Sequence, residues 1–211
     1  MQLGREAQLH HFSNRVDGGV FLQDGRLDPR CQDLRITKNK AALQDALLAS
    51  IARDGWDDVT IQGVCQLANV GRSTFYLHYA TKEALLTDGL NGLRDALLLI
   101  QKSDSSAGKF LFLPELLRHM VEQKNVFRAV CGRRSGQGVE RHFREMVTRL
   151  VQHEMESLHP TPASQTWLAS STSGLIVEAM VWWVESPNPP HVDELACELG
   201  TVLTAMLNTP G

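Results

Sequence analysis

Residues 59–86 read V-T-I-Q-G-V-C-Q-L-A-N-V-G-R-S-T-F-Y-L-H-Y-A-T-K-E-A-L-L. Two short helical patterns flank a tight turn, and a third helix start follows at once. Thr60 can cap the first helix, because its hydroxyl accepts from the free N–H groups of the first turn. Ile61, Val64, Cys65 and Ala68 then fall on one face at helical spacing. Gly63 lies inside this helix at a cost of about 1 kcal/mol relative to Ala. Asn69 ends it, since Asn tolerates the left-handed backbone that the turn requires. Val70 plugs the space between the helices, and Gly71 or Arg72 opens the second. Phe75 and Tyr79 are four apart and point inward. Ser73, Thr74, Tyr76, Leu77 and His78 then fan across the outward side. Hydroxyls, Arg and His suit phosphate oxygens and base edges, and an exposed Leu77 can meet a thymine methyl. The pattern implies a helix-turn-helix that presents its second helix to a duplex.

The run A-N-V-G-R-S-T-F-Y-L-H-Y-A-T-K-E-A-L-L resembles the recognition segment of TetR/AcrR-type transcriptional regulators. Upstream, T-K-N-K-A-A-L-Q-D-A-L-L-A-S-I-A-R-D-G-W resembles that family's first helix with the Gly and aromatic that follow. The resemblance is specific from Thr37 to Leu86 and looser beyond. It implies an all-α homodimer, with an N-terminal three-helix DNA-binding domain and a larger helical domain that dimerises and holds a ligand. It further implies that Arg72, Thr74 and Tyr76 face DNA and that His78 sits near the backbone. Lys82, at the next helix start, would bind phosphate, and Thr60 matches a position that meets phosphate from the first helix of the motif. Two departures stand out. Asn69 replaces the usual Gly, and Gly71 stands where members often carry Ser, so one capping and phosphate-binding hydroxyl is missing. Each contact has a plainer counterpart: Thr60 is a cap in either reading, Lys82 a solvated charge, His78 a surface or capping residue.

Outward from the motif, a helix capped at Thr37 or Asn39 should run to Asp54. Leu43, Ala46, Leu47 and Ile51 form its buried stripe, with Gly55 as its terminator and Trp56 packed beneath. Thr81 should cap a long helix to Gln101, and Asp104–Gly108 is a break. Residues 1–35 carry Gly18, Gly19 and Gly25 and no sustained period, which reads as a disordered arm. Arg30, Arg35 and Lys38 could reach a minor groove from such an arm. The expected division is therefore arm 1–35, helix-turn-helix domain 36–85, and regulatory and dimerisation domain 86–211.

Charge does not advertise nucleic-acid binding. The 211 residues carry a net charge of −3 and an apolar share of 43%. Between Ile36 and Leu85, Lys38, Lys40, Arg53, Arg72 and Lys82 are cancelled by Asp45, Asp54, Asp57, Asp58 and Glu83. Affinity for DNA must then come from where the cations sit, doubled in a dimer. Cys31, Cys65, Cys131 and Cys197 have no close partner, so neither a zinc site nor a disulfide framework is indicated. A thiol redox role for Cys131 or Cys197 is a lesser reading. No metal spacing, cofactor motif, G-x-S-x-G or H-E-x-x-H is found, which argues against an enzyme. No apolar run is long enough to span a membrane and no signal peptide is seen, so a cytoplasmic protein is expected.

Past Phe110 the pattern gives five more helices: one with Pro114 in its first turn, ending at Gln123, then 125–131, 139–157, 163–184 and 191–207. The segment 163–184 is apolar on much of its circumference, through Trp167, Leu168, Leu175, Ile176, Val177, Met180, Val181, Trp182, Trp183 and Val184. Such a helix is buried on several sides. With the last helix it can form a four-helix interface between two subunits. Trp182 and Trp183 point about 100° apart, one to the core and one to a partner or cavity. Phe112, Leu116, Met120, Phe127, Phe143, Met146, Met180 and Trp183 can line an apolar ligand cavity or fill a solid core. His119, Arg128 and Glu178 are the polar candidates to orient a small-molecule effector. The expectation is a homodimeric repressor that a ligand releases from a palindromic double-stranded DNA site. The alternative is a helical interaction module or ligand-binding protein with weak or lost DNA binding.

Overall fold

The computed structural model describes residues 29–103, 109–130, 137–156 and 162–208, and these form helices joined by short turns with no strand among them. The N-terminal group is α1 (Pro29–Asp54), α2 (Ile61–Ala68) and α3 (Arg72–His78). A long α4 (Lys82–Ser103) leads to α5 (Leu113–Glu122), α6 (Lys124–Val130), α7 (Gln137–Glu156), α8 (Pro162–Glu185) and α9 (Val192–Asn208). The expected break at 104–108 and most of the arm lie outside the described residues.

The first helix departs from expectation. It begins at Pro29, not at Thr37 or Asn39. Pro suits a first helical turn, where its missing N–H costs nothing. Thr37 caps nothing there; its hydroxyl donates to the Asp33 carbonyl at 2.9 Å. Arg35 and Lys38 are exposed and ride on this helix, so they are not part of a loose arm. Further along, Leu43, Ala46, Leu47 and Ile51 are buried as a stripe, and Gly55 turns the chain at φ +81°. Trp56 packs beneath them.

The small N-terminal core joins that stripe to Val59, Val64, Cys65, Phe75, Tyr79, Leu85 and Leu86. In the C-terminal part α7 packs along α8, α5 along α9, and α4 along α7. The two parts are held together by α1 against α6 and by α4, which belongs to both. Trp183 and Trp182 diverge as their angular separation requires. Trp183 is buried and its indole N–H donates to the Pro190 carbonyl at 2.8 Å, while Trp182 stays 53% exposed.

Candidate nucleic-acid interface

The turn between α2 and α3 is built by local chemistry. Thr60 Oγ1 accepts from the Gly63 N–H at 3.1 Å, closing the first turn of α2. A Cβ on residue 63 would lie 3.2 Å from that oxygen, so glycine leaves room for the cap it receives. Asn69 adopts φ 53°, ψ 41°, the left-handed conformation expected of it. Val70 then packs on the core while its N–H donates to the Cys65 carbonyl at 3.0 Å. Gly71 is the N-cap of α3 in extended conformation and offers no side-chain cap.

Phe75 on α3 and Tyr79 just past its end face inward, at 0% and 5% exposure. Arg72 and Ser73 are exposed, and Thr74 and His78 are half-buried. Tyr76 is 51% exposed, its ring edge-on to Phe75 at 5.4 Å. Leu77, at 80%, is the most open of the large apolar side chains described. The outward side of α3 is thus a small platform of one guanidinium, hydroxyls, a phenol and an isolated Leu. The Arg72 charge is felt at Cys65. Burial pushes the Cys65 thiol pKa up, and the nearby guanidinium opposes the rise.

The plainer reading of Lys82 does not hold. Its ammonium is not a free solvated charge. It donates to the carbonyls of Trp56 at 2.8 Å and Val59 at 2.9 Å, and lies 4.6 Å from the Trp56 ring centroid. It therefore ties the start of α4 to the turn before α2, leaving one N–H donor for phosphate. Arg53 is likewise engaged, in a bidentate pair with Asp54.

A cluster that the pattern did not suggest sits behind α3. Tyr79 donates its hydroxyl proton to Asp88 Oδ2 at 2.6 Å. Gln44 and Lys40 of α1 donate to the same oxygen at 3.4 and 3.5 Å. Burial, then the Asp88 carboxylate, hold the Tyr79 phenol protonated well above its usual range. Periodicity marked Tyr79 only as apolar core, and no local signal joins residues 40, 79 and 88.

The eleven candidate ligand residues do not share one environment. Phe112, Leu116, Met120, Phe127, Phe143, Met146, Met180 and Trp183 are buried members of one continuous core. Phe127 and Phe143, for example, meet edge to face at 5.0 Å. Glu178 is exposed and does not line an interior. Arg128 is exposed too, with Nη2 donating to the Val184 carbonyl at 3.4 Å. His119 is half-buried, and burial pushes its pKa below 6.5 although Glu122 opposes the shift. A cleft of about 540 Å³ lies elsewhere, between residues 109–114 and α9, lined by Phe110, Leu113, Cys197 and Thr201 among others. Cys65 is a buried free thiol and Cys197 an exposed one. No group of side chains suited to a metal occurs among the described residues.

Comparison with known proteins agrees with this geometry. Residues 43–88 match the family described as bacterial regulatory proteins, tetR family. A 55-residue stretch is 40% identical to the uncharacterized HTH-type transcriptional regulator YxbF of Bacillus subtilis (strain 168), covering 26% of this chain and 14% of that protein. Among solved structures, a TetR transcriptional regulator from Streptococcus agalactiae 2603V superposes with a TM-score of 0.58 at 23% identity, over 83% of this chain and 99% of that one. The dihydroxyacetone kinase operon activator DhaS gives 0.59 at 16% identity, over 80% and 96%. NalD, the secondary repressor of the MexAB-OprM multidrug efflux pump in Pseudomonas aeruginosa, gives 0.55 at 16%, also over 80% and 96%. At these identities the structures speak to the fold alone.

Proposed function

We propose that this chain, whose residues 43–88 match the tetR family of bacterial regulatory proteins, is a sequence-specific DNA-binding regulator of that family, working in the cytoplasm as a homodimer on a palindromic duplex. The observation that carries the reading is the outward side of α3. Arg72, Ser73, Tyr76 and Leu77 stand in solvent on a helix whose other side is fixed in the core. Arg72 and Tyr76 are assigned to base edges, with Thr74 beside them. Ser73, His78 and the N–H groups around Gly71 are assigned to backbone phosphates, with Thr60 at the start of α2. Lys82 contributes through its one remaining donor and through the fixed position it gives α4. Catalysis is not the reading, since members of this family are non-enzymatic DNA-binding factors.

Dimerisation is assigned to α8 and α9. Trp167 and Trp182 on α8, and Val202 and Met206 on α9, are between 42% and 60% exposed. Large apolar side chains held in water on these helices suit a protein–protein surface. A two-fold pairing would set two α3 helices into major grooves about one turn or somewhat more apart.

Repression relieved by a small molecule completes the proposal. Such a ligand acts by binding one arrangement of the two heads better than the other. The buried candidates are packed against one another, so the ligand must open that core or use the cleft beside α9, whose size suits a small molecule. Selection from a random duplex pool by the purified protein tests the assignment. An enriched inverted repeat supports it. No enrichment at low salt would overturn it in favour of an interaction module, the reading that the balanced charge and engaged cations of the head favour.

A further inference from the structure

The helix that would enter DNA is the least anchored of the N-terminal group. It has seven residues, and Phe75 is the side chain within it that is buried. A helix of that length does not persist by itself in water. It leans chiefly on α2. At its far end the chain leaves through Tyr79, whose N–H closes on the Phe75 carbonyl at 2.8 Å. Past that point the Tyr79 hydroxyl makes a polar tie to α4.

The tie is a convergent one. A single oxygen, Asp88 Oδ2, accepts from Tyr79 at the end of α3 and from Lys40 and Gln44 on α1. The phenol–carboxylate distance of 2.6 Å is that of a charge-assisted hydrogen bond, stronger than a neutral one. The Lys40 ammonium also lies 5.4 Å from the Tyr79 ring centroid. Lys40 and Asp88 are each about two-fifths exposed, so their pairing alone contributes little. The buried Tyr79 is the member that cannot swing away. One carboxylate thus joins three helices behind the platform.

We propose that Tyr79 is a positioning residue: through Asp88 it locks the end of α3 to α1 and α4, and so holds the outward side of α3 at the angle a duplex requires. The proposal rests on the DNA-binding reading above. Side chains that recognise a ligand must be held to within about 0.5 Å and 10–20°. A short helix free to pivot about Phe75 exceeds that tolerance without unfolding.

The test uses the full chain with Tyr79→Phe, Asp88→Ala, Asp88→Asn and the double variant Tyr79→Phe/Asp88→Ala. Phe keeps the buried ring and removes only the hydroxyl, and Asn keeps an oxygen that accepts from Tyr79. Thermal unfolding first establishes that each variant is folded at the assay temperature. Affinity is then read on the duplex that the unaltered protein enriches, and amide hydrogen exchange is read on DNA-free protein. Tyr79→Phe and Asp88→Ala should each weaken binding by about tenfold. The double variant should be no weaker than Asp88→Ala, and Asp88→Asn should stay within about threefold of the unaltered protein. Exchange should quicken at the α3 amides and not in α8. Unchanged exchange in α3, unchanged affinity, or losses that add in the double variant would each overturn the proposal. If the unaltered protein enriches no duplex, the DNA-binding reading fails on that arm alone, and exchange still decides whether the tie holds α3.

Discussion

The helices α3 and α8 are opposite cases. The first has seven residues, polar on one side, with Phe75 sealed and Leu77 open two positions later. The second has 24 residues with apolar side chains on much of its circumference. Its sidedness appears only on packing: Ile176, Val177, Met180 and Trp183 are sealed, and Trp167 and Trp182 are exposed. A polar side tells a helix where water is. An apolar circumference leaves that to the neighbours.

The sharpest way to break this contrast is at α3. Arg72→Ala with Tyr76→Ala should remove about 2–6 kcal/mol of binding to the enriched duplex, the worth of two base-reading contacts, and leave the dimer intact. Fluorescence anisotropy and sedimentation measure the two halves of that statement. Near-normal binding would mean that the platform has been misassigned.

On the packed side, Leu150 is fully sealed in α7. Leu150→Ala should cost about 2–5 kcal/mol in denaturant unfolding, because the removed atoms leave a cavity. A loss below about 1 kcal/mol would show room for a ligand in that core.

Between these lies the bare face of α8. Trp182→Ala should raise the dimer dissociation constant by about 30-fold, as for a central aromatic anchor, with little change in protomer stability. A dimer of unchanged strength moves the interface off α8.

Smaller again is the cap of α2. Thr60→Ala should destabilise the chain by about 1 kcal/mol, while Thr60→Ser should be close to neutral. If affinity for DNA falls far more than stability does, Thr60 also meets phosphate.

The smallest expected effect concerns pH. Burial lowers the folded-state pKa of His119 below its ordinary 6.5, so the unfolded chain binds the proton more readily. Stability from this group is complete above the unfolded value and is lost as pH falls through 6.5 toward the folded value. His119→Gln should flatten that part of the stability–pH curve. An unchanged slope would place His119 in water.

Much of the fold is legible because helix signals are local. Thr60, Asn69 and Gly55 act where they stand, and the boundaries of α2 and α5–α9 fall within about two residues of the pattern. The start of α1 escapes it. Residues 33–35 are exposed on all sides, so no apolar period marks them as helical. The outward side of α3 is equally legible, being what Phe75 and Tyr79 leave over. Lys82 is not, because its partners are the carbonyls of Trp56 and Val59 rather than side chains with a signature.

The order of residues by itself determined the helices, the turn at Asn69 and the sidedness of α3, since caps and periodicity act over three or four positions. Only the tertiary structure decided that eight of the candidate pocket residues pack into the core, that Trp183 and not Trp182 is covered, and that Asp88 gathers Tyr79, Lys40 and Gln44. The Asp88 cluster alone needs a contact between residues 48 positions apart, which no pattern along one helix encodes.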